Sequence, residues 1–189
     1  MKKALVATII GIAATASVIA QGRIALDTYN AAPSYPAITY GPGAGGSGTV
    51  DSGFTAGIYF SLTAATFSDP SGTAIPGGTF VLGTGLNSTT PLVTGGLFAA
   101  TGDFTVPGWT SGSVYVVAVA YNGANYAAST VRGHSAVFTL TPAINTDAAP
   151  KFGAMTPFQV LSVAPVPEPS TFALAGLGLA SLLIFRRRK

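Results

Sequence analysis

The stretch Ser113–Tyr121 reads SVYVVAVAY, and it decides the fold class of this 189-residue chain. Successive side chains of a β-strand point to opposite faces. One face carries Val114, Val116, Ala118 and Ala120, and the other carries Tyr115, Val117, Val119 and Tyr121. A strand that is apolar on both faces is buried on both faces. The stretch therefore predicts a central strand of a β-sheet.

The residues after this stretch predict a hairpin. Asn122-Gly123 follows directly, and an Asn-Gly pair tolerates the positive φ that both central positions of a two-residue turn require. We therefore expect a tight turn at 122–123, with residues 125–130 returning as the partner strand.

Short apolar runs broken by Gly and Pro recur along the rest of the chain. The other predicted strands span residues 23–29, 54–62, 78–82, 96–100, 135–141 and 157–163. Good helix formers are nearly absent, since no Glu occurs between residues 21 and 167. We therefore expect an all-β fold for residues 21–164, a single antiparallel β-sandwich of the Ig-like or jelly-roll-like kind. A signal helix and a transmembrane helix are expected to flank it.

Charge is sparse, and its placement excludes several classes of function. Only 8% of the residues are charged, and six of the nine cations lie at the two ends of the chain. Between residues 21 and 167 three cations stand against five aspartates, a net charge of −2. Three scattered cations do not neutralise a run of phosphates, so nucleic-acid binding by a basic face is excluded. The chain has no cysteine, which excludes disulfides and thiolate metal sites.

Residues 1–20 have the order of a secretory signal peptide. Lys2 and Lys3 precede an apolar core, and the core ends at Val18-Ile19-Ala20 with small residues at positions −3 and −1. Signal peptidase is expected to cleave between Ala20 and Gln21, with cleavage after Ala16 as the alternative. A permanent anchor is disfavoured, because a span needs about 20 apolar residues.

The carboxyl-terminal end has three parts in a fixed order. The chain reads Val166-Pro167-Glu168-Pro169-Ser170-Thr171, then an uncharged apolar stretch at 172–185, then Arg186-Arg187-Arg188-Lys189. As a helix, the apolar stretch is roughly 21 Å long, and snorkelling arginines close part of the gap to a hydrocarbon layer of about 30 Å. Terminal cations stay on the cytoplasmic side. We therefore predict a transmembrane helix at 172–185, a basic stop at 186–189 and export of everything before Pro167.

This ending resembles the PEP-CTERM sorting tail of Gram-negative bacteria. The shared features are the Pro-Glu-Pro triplet, the Ser-Thr pair, the apolar helix and the terminal arginines. The resemblance implies recognition by an exosortase, a membrane-embedded cysteine-dependent transpeptidase or protease that removes the helix near the triplet. It implies transient residence in the inner membrane, then a place at the cell surface or in the extracellular matrix of a bacterium that makes exopolysaccharide. The alternative is a plain single-pass anchor with a proline-rich stalk. The body also resembles uncharacterised exported β-sandwich proteins that carry such tails.

The glycine-rich run at 41–48 matches a dinucleotide-binding spelling, G-x-G-x-x-G. Such a site needs a helix directly after the glycines. Pro42 interrupts the run, and residues 49–53 do not start a helix. We therefore interpret the run as a connecting loop, and we predict no cofactor site.

Catalytic chemistry has few candidates. His134 is the only histidine, and a Ser-His-Asp hydrolase would use it as the base. No G-x-S-x-G elbow surrounds any serine. Asp51, Asp69 and Asp103 lie beside turn-forming residues, where an aspartate usually stabilises a turn. We therefore predict neither a catalytic residue nor a metal site.

Trp109 lies in the loop 107–112, just before the predicted central strand. It either plugs one end of the core or stacks on a sugar ring. The leading hypothesis is an exported, non-enzymatic structural or adhesive protein of the cell surface or matrix, linked to exopolysaccharide and biofilm. A carbohydrate-binding module that uses Trp109 is the alternative, and a hydrolase that uses His134 is the third.

Overall fold

Ten short strands and one turn of 3-10 helix account for the regular structure of residues 21–163, which are the residues that the computed structural model describes. The strands are β1 (Arg23–Asp27), β2 (Ile38–Tyr40), β3 (Thr55–Ser61), β4 (Val81–Leu82), β5 (Thr89–Val93), β6 (Leu97–Thr105), β7 (Val114–Tyr121), β8 (Val131–His134), β9 (Phe138–Leu140) and β10 (Phe158–Ser162). The 3-10 helix is Phe152–Ala154. The expected β-rich body is confirmed. The predicted signal helix and transmembrane helix lie outside the described residues.

The strands form one curled, open sheet, a half-barrel. Their order is β1-β6-β5-β3-β7-β8-β10-β2, with β4 paired to β3 and β9 paired to β7. β10 and β2 pair in parallel, with Phe158 opposite Ile38. The fold thus differs from the expected antiparallel sandwich in two respects, the single sheet and the parallel pair. The alternation of half-buried strands is the same in sandwiches and in curled sheets, so it does not distinguish them.

β7 lies at the centre of the sheet, as predicted. β3 pairs along one edge of it, from Thr55 opposite Tyr121 to Ser61 opposite Tyr115. β8 and β9 share the other edge. The even-numbered residues of β3 and β7 face the main core, which contains the fully buried rings of Phe98, Phe104 and Phe152. The odd-numbered ones face a second cluster, named here the tyrosine cluster: Tyr59, Phe80, Val117, Val119, Tyr121 and Tyr126.

The connection after β7 corrects the predicted hairpin. Neither Asn122 nor Gly123 has a positive φ, and residues 125–130 form no strand. The N–H of Gly123 instead donates to the Ser129 hydroxyl (2.8 Å), and β8 begins only at Val131. The longer loop has a physical reason, since it carries Tyr126 into the tyrosine cluster, where the ring is 2% exposed.

The glycine-rich run at 41–48 is a loop, as predicted. Gly43, Gly45 and Gly48 all adopt positive φ, between 76° and 79°, which favours glycine. The loop reverses the chain, so the Gly48 carbonyl accepts a hydrogen bond from Tyr40 N–H (2.9 Å). A β-bridge at Thr49, rather than a helix, follows the glycines.

Candidate functional site

Asp69 organises the loop between β3 and β4. One carboxylate oxygen accepts the N–H of Ser71 (2.9 Å), and the other accepts the N–H groups of Thr73 (2.8 Å) and Ala74 (2.7 Å). The Ser71 hydroxyl also donates to the carboxylate at 2.7 Å. Asp69 therefore has the turn-stabilising role that its neighbours predict. Asp103 does not, because it lies in β6 and pairs with Arg23 at 2.7 Å.

His134, the last residue of β8, faces this loop. Its Nε2 atom lies 3.1 Å from Oδ2 of Asp69, and its Nδ1 atom lies 2.9 Å from the carbonyl oxygen of Ser135. The Phe67 ring covers it, with 4.8 Å between ring centroids. The imidazole is thus held between a carboxylate oxygen and a carbonyl oxygen, and neither ring nitrogen faces a hydroxyl.

The charge state of Asp69 is consistent with this pair. Burial raises the pKa of Asp69, but the hydrogen bonds from Ser71, from Ala74 and from His134 outweigh burial. The net effect holds the pKa of this carboxyl well below its usual range. A Ser-His-Asp hydrolase needs a histidine nitrogen that faces a serine hydroxyl, whereas both nitrogens of His134 face other oxygens. The hydrolase hypothesis therefore gains no support from this geometry.

Trp109 lies in the core rather than on the surface. The side chain is 8% exposed, and its indole N–H donates to the Gly112 carbonyl at 2.9 Å. The indole ring packs against Gly22, where an added Cβ atom would overlap both the indole and Pro142. This placement corresponds to the plug alternative. A sugar contact at Trp109 stays a prediction, and it would require the loop 107–112 to expose the ring.

The three cations of the body are all held by internal partners. Arg23 pairs with Asp103, and Lys151 pairs with Asp27 at 3.2 Å. The Arg132 guanidinium donates to three backbone carbonyls, those of residues 73, 126 and 127. Burial raises the pKa of Asp27, but the hydrogen bonds from Asn30 and the Lys151 ammonium outweigh burial, so the net shift of this pKa is downward. These charges tie loops to strands.

An uncharged groove of about 480 Å³ lies beside β4 and is named here the β4 groove. Its walls are Phe60, Ser61, Leu62, Thr63, Thr79, Val81, Leu82, Thr84 and Pro107. Sequence reasoning missed it, since residues far apart in the chain form it. A smaller groove of about 330 Å³ lies between Tyr29, Val93, Thr94 and Ala99.

Residues 21–163 contain neither a cluster of metal-ligating side chains nor a membrane-spanning helix. No three His, Cys, Asp or Glu side chains there come together as a metal-binding group. In the same range, no helix has the length and apolar character to cross a membrane.

The comparison with known families concerns the end of the chain. The family PEP-CTERM protein-sorting motif matches residues 165–189. The chain carries a PEP-CTERM sorting motif. The resemblance drawn from Pro167-Glu168-Pro169 and the terminal arginines is thereby confirmed. No curated protein and no solved structure matches the chain.

The PEP-CTERM motif implies export, membrane-associated sorting through the tail and processing by an exosortase. Its residues lie outside those that the structure describes, as does Ala20 at the predicted signal cleavage site. Gln21 is exposed, whereas Gly22 is buried and its carbonyl accepts the N–H of Val106 at 2.9 Å. Among the described residues, Gly22 is thus the first that is buried, and cleavage between Ala20 and Gln21 stays a prediction.

Proposed function

We propose that this protein is a structural or adhesive component of the bacterial surface or its polysaccharide matrix, delivered there by exosortase processing of the PEP-CTERM tail. The observation that carries the proposal is the match of the sorting motif to residues 165–189. A tail of this kind has a use only on a chain whose body reaches the far side of the membrane.

The described body supports a structural role. Its main core contains large aromatic side chains, and no buried side-chain nitrogen or oxygen within residues 21–163 lacks a hydrogen-bond partner. The chain has no cysteine, so the body depends on no disulfide. A core that is complete without oxidation suits a module that must fold outside the cell at any redox potential.

The proposed route has two processing steps. Signal peptidase cleaves between Ala20 and Gln21, and the apolar segment 172–185 then holds the exported chain in the inner membrane. Pro167 and Pro169 keep the backbone extended. An extended segment can enter the cleft of a membrane enzyme, and Glu168 offers that cleft a charge to pair with. Removal of the tail then frees the body for the surface or matrix.

The test compares two variants in cells that carry an exosortase. The double variant Pro167→Ala/Glu168→Ala is expected to be exported but not processed, so full-length protein accumulates in the inner membrane. Pro165→Ala, just outside the triplet, is the matched control and is expected to be processed like the wild type. Intact mass of each species identifies both ends of the chain, with Gln21 expected first. Normal processing of the double variant would show that the tail is only an anchor.

Carbohydrate binding is the second candidate, and the smaller groove favours it. Tyr29 is 56% exposed beside Thr94, so its ring offers the open aromatic face that Trp109 does not. Retention of the released protein on the cell's own polysaccharide is the measurement. Tyr29→Ala should abolish retention, whereas Val81→Ala, at the other groove, should leave it unchanged. Equal retention of both variants would remove this candidate.

A further inference from the structure

One edge of β4 has no partner strand within residues 21–163. β4 pairs with β3, with Val81 opposite Phe60 and Leu82 opposite Tyr59. The next residue, Gly83, donates its N–H to the Ile58 carbonyl at 2.8 Å. Antiparallel pairs alternate between hydrogen-bonded and non-hydrogen-bonded positions. Val81 therefore bonds to β3, and the N–H and C=O of Leu82 point away from it.

The β4 groove lies along this free edge and is apolar. Leu62 is 43% exposed, Val81 is 56% exposed and Leu82 is 45% exposed, and all three line the groove. Proteins protect a free edge by keeping it very short, or with a lysine, a proline or a bulge. β4 is only two residues long, but it has no lysine, proline or bulge, and no charged residue lines the groove. The edge is therefore open to another strand.

The polar groups of the groove favour a strand over a sugar as its occupant. The Ser61 hydroxyl hydrogen-bonds the Thr79 hydroxyl (2.9 Å) and the Thr63 carbonyl (3.0 Å). These groups already engage one another. The edge of the groove carries the backbone N–H and C=O of Leu82, and Leu62, Val81 and Leu82 give it an aliphatic surface.

We infer that β4 is a self-association edge, and that its occupant is β4 of a second copy of this chain. A two-fold axis at Leu82 would place this residue opposite Leu82 of the second copy, and each would donate its N–H to the carbonyl of the other. The two exposed Leu82 side chains would then cover each other, and Val81 would lie opposite Gly83 of the second copy.

Charge and local concentration support this choice of occupant. The groove is uncharged and selects an uncharged strand edge with aliphatic side chains, which β4 itself supplies. Each cation of the body has a partner within the chain, and none of them lines the groove. The inference rests on the proposed function in one respect, since a surface or matrix protein is crowded among its own copies.

Cysteine cross-linking tests the pairing directly, because the chain has no cysteine of its own. Hydrogen-bonded opposite residues have Cα atoms about 5.5 Å apart, which lies within the range for a disulfide. The full chain with Leu82→Cys, expressed in its host, should give a disulfide-linked dimer on a non-reducing gel. Val93→Cys, exposed in the smaller groove, is the matched control and should stay monomeric. Equal dimer fractions for the two variants would overturn the inference.

A second variant measures affinity. Leu82→Lys places like charges opposite each other at the two-fold axis and removes two leucines from the contact. It should raise the dissociation constant of the dimer by roughly tenfold or more, measured by sedimentation of the released protein. Val93→Lys should not change it. A monomeric wild type at all concentrations, or a dimer indifferent to Leu82→Lys, would contradict the inference.

A comparison of cells with and without an exosortase separates this inference from the proposed function. Without an exosortase the tail stays attached, and the full-length Leu82→Cys chain should still cross-link. Loss of tail processing in exosortase-positive cells would refute the sorting route and leave the cross-link result standing. Normal processing without cross-linking would refute the β4 edge alone.

Discussion

His134 Nε2 lies 3.1 Å from Asp69 Oδ2, and the two residues are 65 positions apart in the chain. Asp69 belongs to the irregular loop between β3 and β4, and His134 ends β8. Both side chains are nearly buried, at 6% exposed for His134 and 11% for Asp69. The pair therefore ties this loop down over the tyrosine cluster.

Removal of His134 should destabilise the fold, because Asp69 loses one hydrogen-bond partner and the Phe67 ring loses the side chain that it covers. Asp69 keeps its hydrogen bonds from Ser71, Thr73 and Ala74, so we expect His134→Ala to lower the free energy of unfolding by about 1.5–3 kcal/mol. Urea denaturation of the released protein measures it. Asp51→Ala is the control, since Asp51 accepts one exposed hydrogen bond, from Gly53 N–H, and it should cost under about 1 kcal/mol. Similar losses in the two variants would show that the pair does not hold the loop.

Acid should release the same loop. The pKa of Asp69 in the folded protein lies below its unfolded value of 3.8. Its contribution to stability is therefore complete above about pH 4 and declines as the pH falls toward the folded pKa. Asp69→Asn should be less stable than the wild type near neutral pH, and the gap between them should narrow progressively as the pH falls below about 4. Urea midpoints measured across this range check it, and a constant gap would contradict the assignment.

Trp109→Ala should cost about 3–5 kcal/mol of unfolding free energy, the usual cost of truncating a buried aromatic. Tyr29→Ala, which truncates an aromatic that is 56% exposed, should cost under about 0.5 kcal/mol. Thermal or urea unfolding distinguishes them. If Trp109→Ala unfolds like the wild type but is no longer retained on the polysaccharide, the sugar-contact alternative replaces the plug.

Gly133→Ala should disrupt the junction of β8 and β10. A Cβ atom at Gly133 would overlap the backbone of Gln159 and Val160, and overpacking of this kind costs about 1–3 kcal/mol. Gly77→Ala is the control, because its Cβ would meet nothing nearer than 4.0 Å. The midpoint of urea unfolding should fall for Gly133→Ala alone, and equal midpoints would mean that the junction relaxes without cost.

The sequence predicts the strands that bury both faces, but it does not predict β2, β5 and β8. β7 and β3 bury both faces, so their apolar runs are unambiguous in the sequence. β5 was not predicted, and it contains Pro91, which lacks the N–H that a strand needs. In the structure Pro91 lies opposite Thr55, and the Thr90 hydroxyl donates to the Ala99 carbonyl at 3.3 Å. Tertiary context thus overrides the local signal.

The candidate sites also differ in whether the sequence alone predicts them. The sorting tail is a linear motif, so the sequence alone predicts it. The Asp69–His134 pair joins residues that neither spacing nor periodicity relates. The β4 groove likewise gathers residues 60–63, 79–84 and 107 from three separate segments. Only the fold brings such residues together.

The internally held cations determine how this protein behaves toward trypsin, which cuts after lysine and arginine. Within the described residues the enzyme has three possible sites, Arg23, Arg132 and Lys151. Complete digestion leaves residues 24–132 as one peptide of 109 residues (132 − 23). Arg23 and Arg132 are half-buried, whereas Lys151 is exposed. Trypsin should therefore cut the folded body first after Lys151, and a tryptic proteomic survey of the matrix would under-count this protein, whereas cleavage after its aromatic residues would reveal it.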